Sequence, residues 1–143
     1  MTLRVAPVDV NHIQQVWPKV EGYIDEALTK GHDFPDWSRS YTKEHVQSYL
    51  TSGQWLLFVA VDDQNEVQGA ATISFINYPL HRVAFMTTTG GKFIVNPEVF
   101  DQLKAICKQY GATKIQAYCR ESMVRLAERC NFEPRNTLVE VLI

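Results

Sequence analysis

Residues 55–89, WLLFVAVDDQNEVQGAATISFINYPLHRVAFMTTT, decide the fold of this chain. Three apolar runs are separated by two segments rich in turn-forming residues, DDQNE at 62–66 and NYPLH at 77–81. This pattern predicts an antiparallel meander of three strands. The first run is apolar at consecutive positions, which is typical of a strand covered on both faces. The sequence therefore predicts a central sheet with helices packed against it.

Upstream of the meander, the sequence predicts one strand and two helices. TLRVAPV (2–8) alternates in polarity and is expected to lie beside the meander as a strand. The apolar positions over residues 13–28 follow helical spacing, and Pro18 is expected to kink or divide this helix. Thr42 is expected to cap a second helix.

Downstream, Asn96 and Pro97 are expected to begin a third helix with one apolar face. The remaining predicted elements are a strand in TKIQAYC (113–119), a helix in ESMVRLAERC (121–130) and a strand in TLVEVLI (137–143). The predicted order is β-α-α-β-β-β-α-β-α-β. This order describes one α/β (α+β) domain with a mixed, largely antiparallel sheet flanked by helices.

Composition limits the classes of function. A chain of 143 residues is the size of a single domain, and we expect residues 1–143 to form one. The formal net charge of −2 argues against strong attraction to nucleic acid or anionic lipid. The longest apolar run is too short to span a bilayer, and the first residues lack the pattern of a secretory signal. We therefore expect a cytoplasmic protein.

Cysteine and histidine show no metal-binding pattern. The three cysteines, Cys107, Cys119 and Cys130, contain no C-x-x-C pair, and the four histidines are scattered. Free cysteine is commonly buried, so we expect all three to be small core residues. No metal site is expected.

The glycine pair in GGK (90–92) allows two interpretations, because it lies between a strand and a helix. It forms either a phosphate-binding nest or only a turn. The residues that follow favour the turn. Pro97 lacks an N–H group, Asn96 can occupy others with its side chain, and Glu98 places negative charge at the helix start.

The order of elements, together with QYGATKIQAYCRESMVRLAERCNFEP (109–134), resembles the Gcn5-related N-acetyltransferase (GNAT) superfamily. The segments VWPKV, NYPLHRV and TTTGG are most similar to short GNAT-like proteins encoded by tailed bacteriophages and prophages. The resemblance implies a GNAT-like fold over the whole chain. It also implies a notch between two neighbouring strands that holds acetyl-CoA or another acyl-CoA.

The resemblance also implies roles for individual residues. It assigns contacts with the cofactor to Thr88, Thr89, Gly90, Gly91 and Lys92. GNAT enzymes often use a tyrosine on the last helix as general acid, and Ala127 stands at that position here. Tyr118 is the nearest replacement by sequence, while Glu121 or an ordered water is the candidate base.

Two functions of different classes follow. The first is an acyl-CoA-dependent N-acyltransferase acting on a primary amine. The second is a GNAT-fold pseudoenzyme that binds a protein partner, as a phage assembly factor, a virion component or a host-interaction factor. An exposed apolar patch including Trp37, Trp55 or Tyr78 would favour the second.

Overall fold

Five strands form one sheet in the computed structural model, which describes residues 2–29, 40–93, 96–119 and 121–143. The strands are β1 (Arg4–Val8), β2 (Leu56–Val61), β3 (Val67–Asn77), β4 (Arg82–Gly91) and β5 (Lys114–Ala117), and they lie side by side in that order. The pairs β1–β2, β2–β3 and β3–β4 are antiparallel, and β5 is parallel to β4. The predicted meander and the mixed α/β sheet are confirmed.

Four helices cover the two faces of this sheet, namely α1 (Ile13–Thr29), α2 (Lys43–Thr51), α3 (Pro97–Gln109) and α4 (Val124–Glu128). The Thr42 side chain accepts a hydrogen bond from the His45 N–H, and the His45 ring accepts one from the Thr42 N–H, so α2 begins with the expected cap. Pro18 does not divide α1, which is continuous. Pro18 and Gln14, four residues before it, are exposed, so water can reach the carbonyl that loses its hydrogen bond.

Two apolar layers hold the helices to the sheet. On one face α1 and α2 pack against side chains that include Leu57 and Val59. On the other face α3 and the turn after α4 pack against a cluster that includes Phe58, Ala60 and Phe93. Consecutive residues of β2 thus face opposite layers, which explains its unbroken apolar run.

The prediction of a strand over residues 137–143 is wrong, because this segment has no secondary structure and is exposed. An alternating apolar pattern gives a segment the capacity to form a strand, but the strand exists only where another edge pairs with it. No described strand pairs with these residues. The helix expected over residues 121–130 is also shorter, a 3₁₀ turn at Glu121–Met123 followed by α4.

The cysteines divide between core and surface. Cys107 and Cys130 are buried as expected, and burial raises the pKa of the Cys107 thiol to about 11. This thiol is therefore protonated at neutral pH. The prediction is wrong for Cys119, which is exposed because it lies beyond the end of β5. The loop predicted around Phe34 and Trp37 lies outside the described residues.

Candidate functional site

A notch opens between β4 and β5. The two parallel strands pair from Val83 with Lys114 to Met86 with Ala117, where β5 ends. Strand β4 continues for five more residues, Thr87 to Gly91, still paired with β3 on its other side. Along these residues no described strand covers the β5 side of β4. The backbone groups on that side are therefore available to a ligand that binds as an extended chain.

A β-bulge in β4 begins where the notch opens. Thr72 pairs with Thr88 and Ile73 with Met86, so Thr87 is the additional residue. Three hydroxyl groups hold the bulge: Thr72 Oγ1 lies 2.7 Å from Thr87 Oγ1 and 2.6 Å from Thr88 Oγ1. Since Thr87 also donates to the Thr72 carbonyl at 3.1 Å, the consistent assignment has Thr88 donating to Thr72 and Thr72 donating to Thr87.

We expect Thr72→Val to lower the free energy of unfolding by about 1–3 kcal/mol, because the buried Thr88 hydroxyl loses its acceptor. Urea unfolding measures the change. Thr88→Val should cost less, since Thr72 still donates to Thr87. The double variant should cost less than the sum of the single ones. Additive losses would contradict the proposed chain of hydroxyl groups.

Thr89 lies beside this cluster, one residue further into the notch. Its hydroxyl oxygen is buried and has no hydrogen-bond partner among the described residues. An unpaired buried hydroxyl costs free energy unless a ligand or water satisfies it. Thr89 therefore carries a buried hydroxyl group whose hydrogen-bonding capacity is not used by the described residues.

The glycine pair packs against α1 and the start of β3. A Cβ atom at Gly90 would lie 2.5 Å from the Tyr23 carbonyl oxygen, and one at Gly91 would lie 2.4 Å from the Gln68 carbonyl oxygen. Gly91 also has a positive φ of 68°, which favours glycine. The Tyr23 hydroxyl donates to the Val67 carbonyl at 3.0 Å and so ties α1 to the start of β3. Packing alone accounts for both glycines.

Lys92 follows the glycines and is exposed. Its N–H donates to the Gln68 carbonyl at 3.2 Å. Hydrogen bonds from Glu66 and Gln64 N–H groups and from the Gln68 amide hold the pKa of Asp62 below its usual value, and the charge of Lys92 acts in the same direction. The Lys92 ammonium group therefore interacts electrostatically with a carboxylate of the β2–β3 turn.

The start of α3 uses its own hydrogen-bond donors. Asn96 Oδ1 accepts from the Glu98 N–H at 3.0 Å and from the Val99 N–H at 3.3 Å. Pro97 lies in the first turn, and Glu98 adds an exposed negative charge there. The expected self-capping is confirmed. These donors are not available to an anion while the cap is formed.

Of the two candidate catalytic residues, Tyr118 contacts β4 at the open end of the notch. Tyr118 follows the last paired residue of β5 and is 74% exposed. Its ring meets the Phe85 ring edge to face, with centroids 5.1 Å apart, which orients it beside β4. Glu121 is an exposed residue at the start of the 3₁₀ turn.

The sequence interpretation missed Thr72 and Thr87, which shape the notch. The available signal was the run of three threonines in β4. Consecutive side chains of a regular strand point to opposite faces of the sheet, and a bulge interrupts this alternation by one residue, so a run of like residues indicates a place where a bulge can occur. The run alone does not identify the partner, since Thr72 lies on another strand.

Several solved structures that share this fold are named acetyltransferases. An aminoglycoside acetyltransferase from an uncultured soil metagenomic sample, in complex with sisomicin, is 12% identical, with a TM-score of 0.69 over 99% of this chain and 95% of that one. A predicted acetyltransferase from Clostridium acetobutylicum, solved with acetyl-CoA, is 13% identical, with a TM-score of 0.67 over 99% and 96%. Glucosamine-6-phosphate N-acetyltransferase from Arabidopsis thaliana is 12% identical, with a TM-score of 0.62 over 99% of both chains.

The chain therefore has the GNAT fold over nearly its whole length. No protein-family model matches the sequence, and no curated protein matches it significantly. Among the described residues, no group of three or more histidine, cysteine, aspartate or glutamate side chains is arranged to hold a metal ion. No helix in the described part of the chain is long and apolar enough to cross a membrane.

Proposed function

We propose that the chain binds an acyl-CoA in the notch between β4 and β5 and transfers the acyl group to a primary amine. The observation that supports this most strongly is the uncovered edge of β4 from Thr87 to Gly91, which starts at a bulge fixed by buried hydroxyl groups. The fold shared with acetyltransferases, one of them solved with acetyl-CoA, supports the same proposal.

The described residues fit the pantetheine arm of acyl-CoA better than its diphosphate group. The edge at Thr87–Thr89 offers backbone groups, and Thr89 a hydroxyl without a partner, to the amide-containing pantetheine arm. At the diphosphate end, the first donors of α3 are occupied by Asn96. Lys92 contributes a cation, although it already interacts with Asp62. The arm therefore supplies most of the affinity in this proposal.

The bound acyl-CoA supplies the activated acyl group, and the protein supplies orientation and proton transfer. In this proposal Tyr118, which follows the last residue of β5 and contacts Phe85, donates a proton from its hydroxyl to the leaving group. A water held by the Glu121 carboxylate accepts the proton of the attacking amine. Cofactor contacts at Thr88, Gly90 and Gly91 are made through the backbone, because the Thr88 hydroxyl is engaged with Thr72.

Titration calorimetry with acetyl-CoA and with S-acetylpantetheine tests this division of affinity. We expect both ligands to bind, with Kd values in the range of about 1 μM to 1 mM and similar to each other. Asn96→Ala releases the Glu98 and Val99 N–H groups and should strengthen acetyl-CoA binding while leaving S-acetylpantetheine binding unchanged. It should also lower the stability by about 1 kcal/mol through loss of the cap.

Thr42→Ala is the matched control, because it removes the cap of α2 and should cost similar stability with no change in affinity for either ligand. Failure of the wild-type protein to bind either ligand would contradict the notch as an acyl-CoA site. Equal effects of Asn96→Ala on both ligands would contradict the proposal that the diphosphate end of the ligand lies beside the first N–H groups of α3, where Asn96 keeps them occupied.

The second candidate is a non-catalytic GNAT-fold protein that binds a partner, in phage assembly, in the virion or against a host factor. It is favoured by the occupied donors of α3 and by Ala127 at the usual position of the tyrosine acid. Of the aromatic residues expected in a binding patch, Trp55 is buried against Tyr49, whereas Tyr78 is exposed beside Leu80. Trp37 lies outside the described residues. This candidate predicts no acyl transfer to any amine.

A further inference from the structure

No described strand pairs with the outer edge of β5. β5 is last in the sheet order and pairs with β4 on one side only. Its four residues, Lys114 to Ala117, contain no proline or bulge that would prevent another strand from adding. The edge therefore presents backbone donors and acceptors to whatever strand lies beside it.

Residues 137–143, which we call the C-terminal tail, have the sequence pattern of a strand although they form none. The tail alternates in TLVEVLI and exposes five large apolar side chains, with Val139 85% and Val141 83% exposed. The others are Leu138, Leu142 and Ile143. A contiguous apolar segment of this kind usually marks an interaction site rather than a solvated surface.

A groove beside β5 provides an apolar surface for such a strand. It has a volume of about 610 Å³ and lies between α3, β5 and the turn after α4. Its lining includes Phe100, Ile115 and Phe132, which belong to or pack against the core cluster on this face. An additional strand on β5 would extend the sheet over this groove.

Charge and apolar pattern are complementary between the tail and β5. If the tail runs antiparallel to β5 with Glu140 opposite Lys114, then Val139 lies opposite Ile115. That register joins opposite charges on one face and apolar side chains on the groove face. The alternation of the tail therefore matches the alternation of the edge.

We propose that the tail of one molecule pairs with the β5 edge of a second copy, and that the second tail pairs with the first edge. In the described part of each chain the β5 edge and the tail are both unpaired, and a two-fold dimer in which each tail lies on the partner's β5 edge satisfies both. In this register Val139, Val141 and Ile143 of each tail share the groove face. Six such side chains from two tails, at on the order of 100 Å² each, would bury about 600 Å², and the groove surface that they cover adds a comparable area, which brings the total close to that of a specific interface. The inference does not depend on acyl-CoA binding.

Sedimentation equilibrium of the full chain tests the dimer. We expect twice the mass of one chain, and a monomer for the double variant Val139→Lys with Val141→Lys. Leu80→Lys is the matched control, because Leu80 is 87% exposed in the turn between β3 and β4 and should leave the dimer intact. A monomeric wild-type protein, or a dimer that survives the double variant, would overturn the proposal.

A disulfide between Lys114→Cys and Glu140→Cys, made with Cys119→Ser to remove the exposed thiol, distinguishes pairing between molecules from pairing within one. Oxidation should give a covalent dimer on a non-reducing gel. A chain that remains monomeric after oxidation would show that the tail does not pair in this register with a second copy. Circular dichroism of each variant confirms that the fold is retained.

Discussion

Tyr118→Phe should lower kcat for acyl transfer by about 10²-fold or more, because it removes the hydroxyl that donates a proton to the leaving group. The ring remains, so its contact with Phe85 and the fold should be unaffected. The affinity for acetyl-CoA measured by calorimetry should not change. The assay follows release of the CoA thiol with a primary amine that the wild-type protein accepts in a screen.

Tyr110→Phe is the matched control, because Tyr110 is also a partly exposed tyrosine that contacts a phenylalanine, Phe75. It lies at the end of α3 and should leave kcat unchanged. If Tyr118→Phe retains the wild-type kcat, Tyr118 is not the acid. If no amine is accepted by the wild-type protein, the non-catalytic candidate is favoured.

Gly90→Ala should lower the free energy of unfolding by about 1–3 kcal/mol or more, because the added methyl group would overlap the backbone of α1. The nearest atom is the Tyr23 carbonyl oxygen, which moves only if the helix moves. The loss should be present without any ligand. Urea unfolding with an unchanged slope is the measurement.

Gly22→Ala is the matched control on α1 itself. No atom lies within 4 Å of a Cβ at Gly22, so alanine should stabilise the helix by about 0.5–1 kcal/mol. Wild-type stability of Gly90→Ala would contradict packing against α1 as the reason for this glycine. It would also strengthen the interpretation of the pair as a phosphate-binding nest.

Local signals made most of the fold predictable. The turn residues of 62–66 and 77–81 identified the meander, and the side-chain chemistry of Thr42 and Asn96 identified the starts of two helices. Each of these features depends on residues a few positions apart. The sequence pattern therefore contained the information that the structure confirms.

The shape of the site depended on contacts between distant segments. The bulge at Thr87 requires Thr72 on the neighbouring strand, and Gly90 is explained by Tyr23, which lies 67 positions earlier. The tail was expected to be a strand because of its alternation, but whether it pairs depends on which edge it meets. Single-sequence patterns do not specify such partners.

The most direct test of the notch is the change in amide NMR signals during titration with acetyl-CoA. Binding along the uncovered edge of β4 should shift the signals of Thr87, Thr88 and Thr89 most strongly, since their backbone groups lie where the strands separate. The capped amides of Glu98 and Val99 should shift less. Absence of shifts at millimolar acetyl-CoA, or shifts confined to residues away from β4 and Tyr118, would contradict an acyl-CoA site in this notch.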